Sequence, residues 1–396
     1  MKAIINAKLC FPEEIREGSI LIEGRKIIAA GNVEIPEGTE IIDAKSLYAG
    51  PGLVDEHVHG YQQCGRFENI IDNPLGVAEN HLYHGTTSIT PSAGYTNTLE
   101  QYLFMIGECR KGVDDENSSI VGMHFEGPFV SSKFGAHSEL ATPYSREYCE
   151  KIFEAAKGMT VHSTYAPEIP AAPEYERILT ENGIIHDIGH TGAGPADIER
   201  AVANGARIVT HLYDAMGNYR GVEAASFVTG DPQDCVSDIV LGTPGLYYEL
   251  ICDSIGAHVT KYSIRKAYRA AGEDYIILIT DSTAHKDIPV TEEARKTVFD
   301  QFGVYEVDDL NFNDLGELSG SRLTLDKGCR NFMKATGCDV RVAFKCAATN
   351  PAKALYLNDR IGSIEAGHDA DILLVDDDFY VHRLFFKGKE IEEIRH

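Results

Sequence analysis

Eight short runs rich in β-branched and apolar residues recur along the chain, and most of the gaps between them carry helix-like patterns. The runs cover residues 53–60, 86–93, 119–129, 159–168, 183–191, 206–216, 245–253 and 275–283. Amphipathic stretches such as TLEQYLFMIGECRKG and KYSIRKAYRAAGE lie between them. Eight strands that alternate with helices are typical of a closed parallel barrel. The pattern therefore predicts an α/β fold, a (β/α)8 barrel of the TIM type.

The two ends of the chain differ from its centre. Short strand-like runs separated by hairpin turns fill the first fifty residues, and the tail reads ADILLVDDDFYVHRLFFKGKEI. Neither end contains a helix of the kind that would cover a barrel. We therefore expect a small β-sandwich domain built from both termini, residues 1–50 and 355–396, with the barrel, residues 51–354, inserted between them.

Composition excludes several classes of protein. The 396 residues are 43% hydrophobic, which is enough to build a large core. A formal net charge of −25 disfavours binding to nucleic acid or to an anionic membrane surface. No apolar run approaches the roughly 20 residues of a membrane span, and the start MKAIINAKLC is unlike a signal peptide, so we expect a cytoplasmic protein. The nine cysteines form no CxxC pair and are expected to be reduced thiols.

Polar side chains collect at one end of the predicted strands. They are His57, His59, Glu126, Glu168, His190, His211, Asp253 and Asp281, and each follows an apolar stretch. In a barrel of this type, the C-terminal strand ends and the loops after them form the active-site face. Isolated core histidines would instead be spread along the strands. The pattern therefore predicts an active site at this rim.

His57 and His59 are two residues apart on a predicted strand, so their side chains point to the same face. Imidazole is a common ligand for zinc and similar ions, and a buried cation offsets the cost of nearby carboxylates. An HxH pair alone is a weak signal, because surface and core histidines produce it too. Together with Glu126, His190 and His211 at other strand ends, it predicts a metal centre.

Asp281 follows the apolar run of the last predicted strand. One interpretation is a turn or helix N-cap aspartate, for which this residue type is well suited. The other is catalytic: a carboxylate beside a metal can take a proton from water and hand it to a leaving group. The position at the barrel rim favours the second interpretation, and the chemistry it indicates is hydrolysis.

Several segments resemble the amidohydrolase superfamily and, within it, the N-acetylglucosamine-6-phosphate deacetylases. They are PGLVDEHVHG (51–60), MHFEGPFVSSKFGAH (123–137), YAPE (165–168), GHT (189–191), THLYDAM (210–216), TDSTA (280–284), LSGSRLTLDKGCRNF (318–332) and IGSIEAGHDADILLVD (361–376). The most discriminating is HxEGPF followed by GAH, since other branches usually place a carboxylated lysine where this family uses glutamate. The resemblance covers nearly the whole chain.

The resemblance implies one or two divalent ions, with zinc the first choice and iron or manganese as alternatives. Glu126, His190 and His211 would bind one ion, His57 and His59 a second, and Asp281 would be the catalytic acid and base. It also implies a homodimer. The positions it assigns to the small-molecule amino-sugar substrate are Ala136, His137, Asp214, Ala215, His258, Leu318, Ser319 and Gly320.

The chain departs from the family in the segment that usually contacts phosphate. Asp214 replaces the asparagine of the family's Phe-Asn-Ala-Met, and the Arg-x-Pro-Gly element that follows is missing. A carboxylate close to a phosphate is repulsive by about 1 to 4 kcal/mol. Arg220, the arginine nearby, is either a replacement contact or a solvated loop charge. Segment 285–316, acidic and extended, is either a lid or a surface insertion.

The activity predicted from these features is metal-dependent hydrolysis of the N-acetyl group of N-acetylglucosamine 6-phosphate, giving glucosamine 6-phosphate and acetate. One alternative is an amidohydrolase for another N-acetylhexosamine, unphosphorylated or of another epimer, or for an N-acyl amino acid. A second alternative is a barrel that binds sugar without turnover. Retention of the HxH pair and Asp281 argues against the second.

Overall fold

A computed structural model describes residues 1–217, 235–284, 292, 295–296, 300, 303, 309–313 and 317–395 of the chain. Numbered β1 to β20 in chain order, its strands are Lys2–Cys10, Ile15–Glu23, Lys26–Gly31, Glu40–Asp43, Tyr48–Pro51, Leu53–Val58, Gly60–Tyr61, Glu68–Asn69, Thr86–Gly94, Gly122–Glu126, Thr160–Tyr165, Ile185–Ile188, Ala206–Val209, Tyr247–Ile251, Ile276–Ile279, Leu310–Phe312, Leu318–Ser321, Ile372–Val375, Val381–Phe386 and Lys389–Ile391. Numbered α1 to α10, its α-helices are Pro74–Leu82, Leu99–Asp114, Arg146–Ala156, Ala172–Asn182, Pro195–Ala203, Val236–Gly242, Lys261–Ala271, Leu325–Thr336, Val340–Phe344 and Asn350–Ala354. A 3-10 turn spans Ser138–Leu140, and a π-helical turn spans Lys345–Thr349.

Eight parallel strands form the barrel, in the order β15, β14, β13, β12, β11, β10, β9 and β6. The ring closes between the first and last strands. There the amide of Asp281 donates to the carbonyl of His57 at 2.9 Å, and the amide of His59 donates to the carbonyl of Ser282 at 2.7 Å. Each barrel strand overlaps one of the runs marked in the sequence, and the predicted (β/α)8 architecture is confirmed.

The helices cover the outside of the barrel with one apolar face each. Helix α2 begins at a capping box, in which the Thr98 side chain and the Gln101 side chain each bond the other residue's backbone amide. It buries Tyr102, Met105 and Ile106 at helical spacing. The ring of Tyr102 then packs edge-on against Phe125 of β10, with centroids 5.5 Å apart. Such contacts fix the strands whose ends carry the polar residues.

The terminal sheet contains strands from both ends of the chain, in the order β20, β19, β18, β5, β1, β2 and β3, with β4 paired to β1. Its own apolar core includes Ile4, Leu9, Ile20, Ile372 and Phe385. The expectation of a small β-domain assembled from the two termini is confirmed. The division of the chain at 50/51 and 354/355 stays a prediction.

Lys345 links the terminal region to the bottom of the barrel. Its side chain is 1% exposed, and its ammonium group contacts the carboxylates of Glu13 at 3.0 Å, Glu273 at 3.2 Å and Asp274 at 2.6 Å. A buried charge of this kind is tolerated only when it is paired. The contacts therefore tie the loop after β1 to the turn before β15.

Among the described residues, none of the helices is both long and apolar enough to span a membrane.

Gly50 lies where the terminal sheet meets the barrel, and its close packing there predicts an effect on stability. A Cβ added there would lie 2.5 Å from the ring of Phe344, a buried residue whose ring also packs on Phe379. We expect Gly50→Ala to lower the free energy of unfolding by about 1 to 3 kcal/mol, because the ring has little room to move. Denaturant unfolding would measure the change.

Gly107→Ala is the matched control, because a Cβ at this position in α2 would meet no atom within 4 Å. It should leave stability unchanged or raise it by up to about 1 kcal/mol. Equal stability of the two variants would contradict the proposed packing at Gly50.

Candidate active site and metal centre

The C-terminal ends of five barrel strands position the predicted metal ligands and the catalytic candidate. His57 lies in β6, with His59 just after it, and Glu126 ends β10. His190, His211 and Asp281 each follow a strand by two residues and have positive φ angles of 47°, 28° and 45°. This left-handed backbone is uncommon in residues other than glycine and is often found at functional sites. Here it occurs where the chain leaves the strand and enters the barrel mouth.

The first trio of ligand candidates is Glu126, His190 and His211. The Oε1 atom of Glu126 lies 2.9 Å from Nε2 of His190 and 3.2 Å from Nε2 of His211. The two imidazole nitrogens are 3.0 Å apart. All three side chains are buried. Their donor atoms therefore converge on one point.

The second trio is His57, His59 and Asp281. Nε2 of His57 and Nε2 of His59 are 3.1 Å apart, and Oδ1 of Asp281 is 3.5 Å from the first and 3.6 Å from the second. Glu126 contacts this trio too, through Oε1 to His57 at 3.3 Å and Oε2 to His59 at 3.2 Å. One carboxylate thus lies between the two trios, as a bridging ligand would.

The hydrogen-bond partners of two imidazoles show that this arrangement fits a cation. Nδ1 of His190 faces the carbonyl of Phe134 at 2.9 Å, and Nδ1 of His57 faces a carboxylate oxygen of Glu249 at 3.2 Å. Both partners only accept hydrogen bonds, so each Nδ1 carries the proton. The Nε2 lone pairs then point at the oxygens of Glu126. Acceptors that face acceptors need a second proton or a metal ion between them, and the donor set suits a divalent ion.

The pKa shifts of these groups also indicate that the site favours positive charge. Burial lowers the pKa of His57, but Asp281 and Glu126 outweigh it, and that pKa lies well above its ordinary value. Burial also lowers the pKa of His211, yet its bond to Glu126 and the charge of Asp214 raise it to about 9. Burial would raise the pKa of Glu126, whereas the neighbouring histidines hold it well below the usual range. These shifts keep Glu126 charged, and the site attracts cations.

A third cluster inside the barrel has a different geometry. His124, His162 and Asp187 are fully buried and close together, but the two imidazole rings are stacked, with centroids 4.2 Å apart and planes 12° apart. Their in-plane lone pairs therefore run nearly parallel and do not meet at one point. The ring nitrogens of His124 bond Ser92 and Thr164, both at 2.9 Å. These contacts indicate a structural network of the barrel interior.

A cavity of about 590 Å³ opens above the ligand candidates. The lining includes seven of the residues predicted to contact substrate: Ala136, His137, Asp214, Ala215, Leu318, Ser319 and Gly320. The sequence did not single out Tyr95 or Asn313, which also line it. The hydroxyl of Tyr95 donates to the carbonyl of Ala136 at 2.5 Å and so holds the loop after β10.

Acidic side chains dominate the charge of the cavity wall. Asp214 and Glu317 line it, and among the described residues no lysine or arginine does. Asn313 donates to the Glu317 carboxylate at 2.8 Å, next to His137. The predicted contact Arg220 and most of segment 285–316 lie outside the described residues.

His258 lies behind the cavity wall and is not among its lining residues. Its Nδ1 faces Asp253 at 3.1 Å, and its Nε2 faces the carbonyl of Gly320 at 3.1 Å. Since both partners accept, the ring carries two protons. Burial lowers the pKa of His258, but the bond to Asp253 and the charges of Asp214 and Asp281 raise it above its ordinary value. A direct contact with substrate stays a prediction; the structure shows a contact with Gly320.

Two carboxylates, the half-buried Glu168 and the buried Glu249, support the ligand candidates from behind. Glu168 accepts from the hydroxyl of Thr191 at 2.5 Å and from the amide of Gly192 at 2.7 Å, and so holds the turn next to His190. Glu249, in the middle of β14, contacts His57. Glu249 is not among the residues predicted from the sequence, although a carboxylate within the apolar run YYELI was the signal for it.

Two known proteins are similar to this chain over most of its length. The chain is 30% identical to N-acetylglucosamine-6-phosphate deacetylase of Bos taurus over 378 residues, covering 89% of this chain and 86% of that protein. It is also 30% identical to the Bacillus subtilis deacetylase of the same name over 400 residues, covering 96% of each chain.

Solved structures agree in fold. The crystal structure of N-acetylglucosamine-6-phosphate deacetylase from Pasteurella multocida matches with a TM-score of 0.83 at 26% identity, over 98% of this chain and 99% of that one. A family model described as "Amidohydrolase family" matches residues 48–391. Because this match spans most of the sequence and includes every ligand candidate, the chain belongs to the amidohydrolase family.

Proposed function

We propose that this protein is a metal-dependent deacetylase that hydrolyses the N-acetyl group of N-acetylglucosamine 6-phosphate to glucosamine 6-phosphate and acetate. The observation that carries the proposal is the convergence of the two ligand trios around Glu126 at the floor of the cavity. The relatives that cover most of the chain have this activity in their names. Amide hydrolysis is the chemistry that such a site performs.

Divalent ions at this position would make a water molecule more acidic and polarise the carbonyl of the amide. The protein's own groups supply the remaining steps. Asp281 has Oδ1 within 3.6 Å of both histidines of its trio, so its carboxylate can accept a proton from the attacking water. It can then deliver that proton to the nitrogen as the C–N bond breaks. Glu126 and the histidines would hold the ions at the foot of the cavity.

The ligand chemistry supports zinc as the first candidate, with iron or manganese as alternatives, because imidazole and carboxylate suit all three. The bridging position of Glu126 favours two ions over one. A homodimer and a cytoplasmic location are further parts of the proposal, carried by resemblance to the family. The β-sandwich and barrel boundaries, residues 1–50, 51–354 and 355–396, are also proposed.

A second candidate function is the same deacetylation with a different substrate, one that carries no phosphate. Asp214 and Glu317 line the cavity where a negatively charged substituent would meet repulsion. These two carboxylates favour an unphosphorylated N-acetylhexosamine. The two candidates share the catalytic floor and differ only in what the wall of the cavity accepts.

The ratio of kcat/KM for N-acetylglucosamine 6-phosphate to that for N-acetylglucosamine separates these candidates. For the proposed function we expect the phosphorylated sugar to be favoured at least tenfold, about 1.4 kcal/mol of transition-state stabilisation. A ratio near one would exclude the phosphate ester as the specific substrate and leave the deacetylase class standing. Acetate release with the zinc-loaded enzyme is the measurement.

Asp214→Asn refines this test. Removing the carboxylate should lower KM for the phosphorylated sugar about tenfold, since repulsion at close range is about 1 to 4 kcal/mol, and leave the free sugar within about twofold. Equal effects on both sugars would show that Asp214 does not face the phosphate.

Asp281→Asn tests the proton transfer. The amide cannot accept or return a proton at this position, so we expect kcat to fall by about 10² to 10⁴, with KM changed much less. Steady-state kinetics on zinc-loaded protein would measure it. Asp376→Asn, at a carboxylate of the terminal sheet that pairs with His382, is the control and should retain full activity. A kcat for Asp281→Asn within tenfold of the wild type would contradict the assigned role.

A further inference from the structure

Glu249 lies within the barrel wall and contacts both ligand trios without belonging to either. It is in the middle of β14, with 0% of its surface exposed. A single oxygen, Oε2, faces Nδ1 of His57 at 3.2 Å and accepts from the backbone amide of His211 at 3.0 Å. His57 comes from the second trio and His211 from the first. The two contacts join strands that are far apart in sequence.

The contact with His57 fixes where the proton lies on that ring. A carboxylate accepts and does not donate, so the imidazole must carry its proton on Nδ1. Its Nε2 then keeps a lone pair directed at His59 and Glu126. Carboxylate groups that orient a metal-binding histidine in this way also make it a stronger ligand, and losing them typically weakens metal binding 10- to 100-fold.

The contact with His211 holds an unfavourable backbone conformation. His211 has a φ of 28°, in the left-handed region that residues other than glycine rarely adopt. The side chain of Glu249 binds the amide of His211, and the backbone carbonyl of Glu249 accepts from the amide of Leu212 at 2.8 Å. Both bonds keep the chain in the turn that points the imidazole towards Glu126.

We propose that Glu249 is a positioning residue of the metal centre, whose one carboxylate oxygen orients a ligand from each of the two trios. The inference rests on the proposed function, because it requires the trios to hold divalent ions. A purely structural role would make Glu249 equivalent to other buried carboxylates of the barrel interior. Asp187 is the matched case: it is also 0% exposed, but it bonds His162 at 2.5 Å and no ligand.

The test compares Glu249→Gln with Asp187→Asn. Glutamine keeps the size of the side chain but loses the charge, so the neutral oxygen that it can still turn towards His57 is a weaker acceptor than the carboxylate. Zinc affinity is measured by competition with a chromophoric chelator, and thermal unfolding is measured on the metal-free proteins. We expect Glu249→Gln to raise the Kd for zinc 10- to 100-fold and Asp187→Asn to change it less than threefold. The two metal-free variants should lose similar thermal stability.

Two results would overturn the inference while leaving the deacetylase intact. One is wild-type zinc affinity in Glu249→Gln, and the other is an equal loss of affinity in Asp187→Asn, in both cases with wild-type protein that binds zinc and releases acetate. A wild-type protein that neither binds zinc nor releases acetate would remove the proposed function as well.

Should Glu249→Gln fail to fold, the wild-type protein still decides the question. Nitrogen chemical shifts of 15N-histidine in the zinc-loaded protein report which ring nitrogen is protonated, and His57→Asn identifies the signal. A proton on Nδ1 of His57 supports the inference. A proton on Nε2 overturns it, because Glu249 would then not orient the ligand.

Discussion

The carboxylate of Glu126 is the group on which the arrangement of the active site depends. Four imidazole nitrogens, from His57, His59, His190 and His211, lie within 3.3 Å of its two oxygens. At His57 and His190 the Nδ1 protons are used elsewhere, so acceptors face acceptors and the cluster is stable only around positive charge. Divalent ions would satisfy this demand without a proton on each ring, and the polar strand ends would then be compatible with burial.

Closure of the barrel sets the position of the catalytic candidate relative to that charge. Strands β6 and β15 meet through backbone bonds, in which the amide of Asp281 donates to the carbonyl of His57 and the amide of His59 donates to Ser282. The residue proposed to move the proton is thus bonded directly to the backbone of a residue proposed to hold an ion. A change of register between these two strands would separate them. The geometry of the reaction therefore depends on the same bonds that complete the fold.

The sequence predicted the features that local pattern controls. Each apolar strand run, and the polar residue that follows it, can be recognised within about ten residues of sequence. The barrel and the group of ligand candidates that includes Glu126 could therefore be anticipated. The run YYELI marks Glu249 as an unusual carboxylate, but its role could not be anticipated, because that role comes from contacts with His57, 192 positions away, and with His211, 38 positions away. Asn313 reaches the cavity through the hairpin of β16 and β17, whose pairing no local pattern indicates. Arg220 lies outside the described residues.

Catalysis and substrate choice come from different parts of this molecule. The proposed ligands and Asp281 lie on or directly after barrel strands, where backbone bonds and buried partners such as Glu249 hold them. Asp214 and Glu317 lie in loops at the wall of the cavity. A substitution in those loops can alter the charge that a sugar meets without moving a ligand. The wall can therefore change its preferred sugar while the floor keeps its chemistry, and this explains why the reaction class follows more directly from the fold than the substrate does.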